Sequence, residues 1–223
     1  MLADSKSKVS ILLIWNRNNP QWSGDAMQFI SFEPGIEVNA TTVAAIVRGM
    51  SSFTSISGRY LSKVNIGRIV DGELILDMDA WYSQDAWLKA FENIAEQIGD
   101  KILFNIGKSI PKSAVFPDWA TDIASGIKLI DIAYHINHRK NGESLYDMET
   151  KTMREGIGHY GCEAVPGKRE ILSVCKNPYP CVFDRGILTE MATRFEPGAV
   201  VIHDDSCECR QNGADSCTYH VRW

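Results

Sequence analysis

The chain has 223 residues, 44% hydrophobic and 23% charged, a composition that excludes intrinsic disorder and suffices for a buried core. Acidic residues outnumber Lys and Arg by 28 to 23, and the basic residues are scattered, which excludes nucleic acid as the main partner. The longest strongly apolar run, Val9 to Trp15, is far short of the roughly 20 residues of a membrane-spanning helix, and, short and without a small-residue cleavage site, it does not read as a secretory signal, so a cytoplasmic protein is expected.

In chain order, residues 8–17 read as a strand closed by Asn18-Asn19-Pro20. Asn39-Ala-Thr-Thr caps a helix from about Thr41 to Met50, and the Ser/Thr cluster from Ser51 to Ser57 reads as a loop. Two short apolar runs around Asp71-Gly72 predict a hairpin over 67–77. A boundary near residue 66 divides an N-terminal α/β extension, 1–66, from a ligand-binding domain, 67–223. Ser83 caps a helix carrying Trp87, Phe91, Ile94 and Ile98, with Gly99 as its terminator, and a second helix runs from Asp100 to Ser109.

Residues 117–139 carry the longest helical pattern, apolar on two faces, which predicts a central helix packed on both sides. Strands are expected over 156–165 and 170–175, turning at Pro166-Gly167. Pro180 then opens a helix to Phe195, and strands at 199–203 and 217–223 flank a polar loop. The fold class is α+β, with N-terminal and central helices packed on a small antiparallel sheet.

All six cysteines, Cys162, Cys175, Cys181, Cys207, Cys209 and Cys217, fall in the C-terminal third, which favours a local metal or thiol site over a disulfide framework. Cys209 and Cys217 flank a Gly-containing connection, and Cys181 opens a helix whose dipole favours a thiolate. Three such sulfurs suit zinc. The fourth ligand is left among Cys207, the carboxylates of Glu155 and Glu163, with Glu163 preferred, and the imidazoles of His159 and His203. Cys162 and Cys175 read as small buried residues on strands. His203-Asp204-Asp205 reads as a turn with exposed carboxylates.

Asn177-Pro-Tyr-Pro-Cys181 opening a helix, then Cys209, Gly213 and Cys217 followed by Thr218-Tyr-His-Val, resembles the 4-vinyl-reductase-type domain of the H-NOX/TRAPP-subunit-like superfamily over roughly residues 80–223. The resemblance implies a small-molecule sensor in which a zinc held by three cysteines and an acidic residue buttresses a ligand pocket. A homodimer is expected by analogy with modules of this superfamily, and with no kinase, cyclase or DNA-binding segment visible, any signal is expected to pass to a separate protein. Aromatic side chains suited to a pocket for a small hydrophobic or aromatic ligand are Trp87, Phe91, Trp119 and Tyr134.

The same superfamily includes haem-binding H-NOX gas sensors, and Phe116-Pro117 leading into the helix that ends at His135 is similar to their proximal-histidine helix. Helical phase sets His135 on a polar arc beside Asp131 and makes His138 the better-buried haem ligand. The Tyr-x-Ser-x-Arg motif of that family is missing. Three readings follow: a non-enzymatic ligand-binding module with a structural zinc, a haem-binding gas sensor, and an enzyme using an activated Cys181.

Overall fold

The structure, a computed structural model, describes residues 27–50 and 53–223, and the strand expected over 8–17 lies outside them. Strand β1, Ile36–Asn39, leads into helix α1, Ala40–Gly49, where the Asn39 side chain accepts the Thr42 N–H at 2.8 Å. Helix α2, Thr54–Lys63, replaces most of the loop expected over 51–57. Its Ser57 is buried and donates its hydroxyl to the Phe53 carbonyl, so tertiary packing overrides the Ser/Thr preference for turns.

Strands β2, Arg68–Val70, and β3, Glu73–Ile75, form the expected hairpin, with Asp71 and Gly72 both at positive φ (51° and 86°), as a two-residue primed turn requires. Strand β4, Trp81–Ser83, precedes helix α3, Gln84–Ile98, and Gly99 separates α3 from helix α4, Asp100–Lys112. Helix α5, Ile123–Ile136, is shorter than the expected 117–139 because an Asp122–Ser125 capping box fixes its start. His138 therefore begins strand β5, His138–Lys140, rather than ending the helix.

Short strands follow: β6, Glu143–Ser144; β7, Tyr146–Asp147; β8, Thr152–Met153; β9, His159–Tyr160; β10, Glu163–Ala164. Strand β11, Glu170–Lys176, precedes helix α6, Cys181–Phe195, which leads to β12, Val200–His203, and β13, Cys217–Arg222. One antiparallel sheet has the order β4-β1-β5-β6, placing Val38 opposite both Tyr82 and His138. A second has the order β10-β11-β13-β12, with β9 also on β11 and Cys175 opposite Cys217. The residue-66 boundary falls between α2 and β2, and β1 pairs across it with β4 and β5.

Helix α6 packs on β12 and β13 on one side and on α4 and α5 on the other. At the α4–α6 crossing the backbones touch: a Cβ on Gly186 would fall on the Phe104 carbonyl oxygen, and one on Gly107 on that of Phe183. Trp87 and Phe91 stack at 5.1 Å in the core, both fully buried. The two apolar faces of α5 have different surroundings. Ile123, Ile127, Ile130 and Tyr134 are buried, the last two at the wall of a cavity, whereas Leu129, Ile132, Ala133 and Ile136 line the same cavity and are less buried.

Candidate functional site

Four places in the chain converge on one point beside the second sheet: the first residue of α6, the last of β12, the first of β13 and, in the connection between those two strands, Cys209. They bring together Cys181, His203, Cys209 and Cys217, whose ligand atoms all lie within 4.8 Å of one another. The Sγ–Sγ distances are 3.1 Å (Cys181–Cys217), 3.5 Å (Cys181–Cys209) and 3.7 Å (Cys209–Cys217). These are too long for disulfides and near the edge of about 3.8 Å that a tetrahedron with Zn–S of about 2.3 Å requires.

His203 completes the set. Its Nδ1 is 2.8 Å from Asp205 Oδ1, and its buried Nε2 has no hydrogen-bond partner. An imidazole whose Nδ1–H is held by a carboxylate presents the Nε2 lone pair, the usual arrangement of a metal-binding histidine. The donor set, three sulfurs and one imidazole nitrogen, suits zinc. Hydrogen bonding to Cys181 and Cys209 holds the Cys217 thiol far below its usual range. Hydrogen bonding to Cys209, Cys217 and Asp205 pushes His203 up to about 10, so a metal binding there displaces its Nε2 proton.

The other candidates lie elsewhere. Glu163, on β10, is exposed and outside the cluster, and Cys207 is exposed with its thiol 3.1 Å from Asp204 Oδ2. Hydrogen bonding to Cys209 and Cys217 pushes the Cys181 thiol up. Cys175 is fully buried on β11, and Cys162 is partly buried between β9 and β10.

A second cluster joins Asp131, His135 and His159. His135 is fully buried rather than solvated, its Nδ1–H donating to the Asp131 carbonyl at 2.8 Å, and its ring stacks on His159 at 4.8 Å. Asp131 takes the Tyr160 N–H at 2.9 Å and faces His159 Nδ1 at 3.0 Å, while Glu155 lies 3.3 Å from His159 Nε2. Burial lowers His135; for His159 burial is outweighed by Asp131 and Glu155, and the net shift is upward. With its Nδ1 proton committed to the helix backbone, His135 packs β9 against α5, and its buried Nε2 has no hydrogen-bond partner among the described residues.

The cavity lies between α1, α4, α5 and α6 and has a volume of about 890 Å³. Its walls are mostly aliphatic and aromatic, and Lys151 is the one Lys or Arg among its described lining residues. Val115 (96% exposed), Met148 (71%) and Trp119 (51%) stand among its lining residues as an apolar rim. Trp119 and Tyr134 line it, as the aromatic pattern suggests; Trp87 and Phe91 do not, being consumed by the core beneath α3. His138 lines it too. Its Nδ1–H donates to the Tyr134 carbonyl at 2.7 Å, its Nε2 is 3.4 Å from the Tyr179 hydroxyl, and burial lowers its pKa to about 4.

Nothing in the sequence pattern signals the fully buried ion pair between Arg210 and Asp184, Nη2 to Oδ2 at 2.5 Å. Asp184 also accepts the Tyr160 hydroxyl (2.7 Å) and the Asn177 amide (3.0 Å). Burial pushes the Asp184 carboxyl up, against the guanidinium and these donors.

No protein-family model matches the chain, and no curated protein does. Among solved structures it is similar to H-NOX domains. A mutant of the T. tengcongensis H-NOX protein is 14% identical with a TM-score of 0.53, covering 82% of this chain and 96% of its own. An oxygen-binding H-NOX domain related to soluble guanylate cyclases, solved with oxygen, is 14% identical with a TM-score of 0.51, covering 82% and 94%. An H-NOX protein from S. oneidensis in the Fe(II) state is 14% identical with a TM-score of 0.50, covering 80% and 94%. The chain has an H-NOX-like α+β fold.

Proposed function

We propose that, on this H-NOX-like fold, the chain works as a non-enzymatic small-molecule sensor whose ligand, a hydrophobic or aromatic molecule, occupies the cavity between α1, α4, α5 and α6. The observation that carries the reading is the cavity itself: about 890 Å³, apolar on most of its lining, with one buried neutral imidazole at its wall. The Cys181–His203–Cys209–Cys217 cluster is then a structural zinc site that ties the start of α6 to β12 and β13, beside the ligand wall. A closed four-donor set, with no position left for substrate, favours architecture over catalysis. No helix among the described residues is long and apolar enough to cross a membrane, and the signal of such a module passes to a separate protein.

A second reading, haem as the cavity's occupant, is favoured by His138. Its Nδ1 is anchored on a backbone carbonyl and its Nε2 is neutral, the configuration of an axial ligand. Haem bound there would supply an iron for a diatomic gas. Fluorescence titration with Nile red tests the ligand cavity, and saturable binding near one dye per chain is expected; no binding refutes the sensor reading. Hemin titration tests the second reading: a Soret band that shifts on binding and is lost in His138→Ala supports haem, while an unshifted free-hemin spectrum refutes it. Elemental analysis is expected to return about one zinc per chain, falling to near zero in Cys209→Ser.

A further inference from the structure

The metal cluster and the cavity are joined by a continuous buried polar chain. At one end Arg210 directs its backbone N–H and its Nε–H at Cys217 Sγ, at 3.4 and 3.5 Å. Its Nη1 donates to the Asn177 carbonyl and, at 2.5 Å, to Asn177 Oδ1, while its Nη2 meets Asp184. At the other end Asp184 accepts from Tyr160, and Asn177 Oδ1 accepts the Tyr179 backbone N–H at 2.9 Å. Tyr160 and Tyr179 are both walls of the cavity. Arg210, Asp184 and Asn177 are each 0% exposed.

A guanidinium buried to this degree needs negative charge on more than one side to offset its desolvation. Asp184 supplies one charge. The other side faces Cys217, one of three sulfurs which around a divalent cation carry a net negative charge. Arg210 is thus the fixed counter-charge of the metal site, and the planar fork of its donors lets one side chain hold a sulfur and a carboxylate at once.

We propose that Arg210 couples the two sites: metal bound at the Cys181–His203–Cys209–Cys217 cluster fixes Arg210, which through Asp184 fixes the Tyr160 wall of the cavity, so that metal and cavity ligand bind cooperatively. The inference rests on the zinc and cavity readings above. Metal binding orders in advance groups that the ligand would otherwise have to order itself, which gives positive coupling, and linkage makes the effect reciprocal. Arg210 and Asp184 are positioning residues here, since they act through Cys217 and Tyr160.

The test uses the full chain with Nile red as cavity probe and zinc as metal. Zinc affinity, by competition with a chromophoric chelator, is measured with and without saturating dye in the wild type, Tyr160→Phe and Arg210→Lys. In the wild type the dye is expected to tighten zinc binding by about fivefold or more. Tyr160→Phe removes the hydroxyl that joins the cavity wall to Asp184 and bonds none of the three sulfurs; with the dye at saturation for that variant, the ratio of its zinc affinities with and without dye is expected to fall to about one. Arg210→Lys keeps the charge but cannot span both partners, and is expected to weaken zinc by about tenfold or more. A wild-type coupling factor of one, with both ligands bound, overturns the proposal and leaves the zinc and cavity readings standing. Persistence of the coupling in Tyr160→Phe overturns it too, because coupling through global folding would survive that change. Failure of the dye or of zinc to bind the wild type at all overturns the reading beneath it.

Discussion

His138 offers a quantitative test of the cavity's chemistry. Burial lowers its pKa from 6.5 to about 4, so in the folded chain it stays neutral where the unfolded chain would protonate it. Between those two values the unfolded state binds more protons, and stability rises with pH and falls on acidification. Going from pH 7.5 to pH 5, a group shifted this far costs about 2 kcal/mol, approaching about 3.4 kcal/mol below pH 4. His135, also lowered, acts in the same direction, and His159, His203 and His220, all raised, act against it, so the wild-type curve alone does not isolate the effect. The difference between wild type and His138→Gln does. Urea unfolding followed by tryptophan fluorescence at pH 7.5 and pH 5 is expected to show the wild type losing about 2 kcal/mol more than the variant. Equal losses would mean that His138 is not a buried neutral imidazole, and would remove its lone pair from any account of ligand or haem binding.

Asp205→Asn, which weakens the hold on His203 Nδ1, is expected to lower zinc affinity by about 10- to 100-fold in the same chelator competition. Glu163→Gln is expected to leave metal content and affinity unchanged, since the side chain stands outside the cluster; a loss of zinc there would restore the acidic fourth ligand. Gly186→Ala forces a methyl group onto the Phe104 carbonyl and is expected to destabilise the chain by at least about 1–3 kcal/mol in urea unfolding. Wild-type stability in that variant would refute the α4–α6 backbone contact.

The helices are the most legible part of the sequence, because their signals are local. The Asn39 and Ser83 caps, the Ile and Phe spacing of α3 and the Pro180 entry to α6 each act within a turn or two. Strands of two or three residues such as β5 to β10 are held by their neighbours in the sheet and leave no period to read. Cys181, Cys209 and Cys217 are legible as a set because three sulfurs near helix and strand ends have few other uses. His203 is visible only as one alternative, because its neighbour Asp205 looks like turn chemistry until the imidazole is seen to rest on it. Helical phase misplaces His135 on a polar arc because it takes no account of His159 arriving from 24 residues downstream to cover it. Arg210 and Asp184 lie 26 residues apart in sequence, and only the third dimension pairs them.

The glycine contact between α4 and α6 bears on how the cavity adapts to its occupant. Two helices already in backbone contact cannot come closer, and drawing apart would uncover tightly packed main chain, so together they form a fixed jaw. The opposite side is built differently: α5 has only one packed face, and residues 114–119 lead into it carrying the exposed Val115 and Trp119. On the sensor reading proposed above, occupants of different size are expected to be accommodated on that side. On the sensor reading proposed above, α5 and the segment before it are where a separate protein is expected to read the state of the cavity.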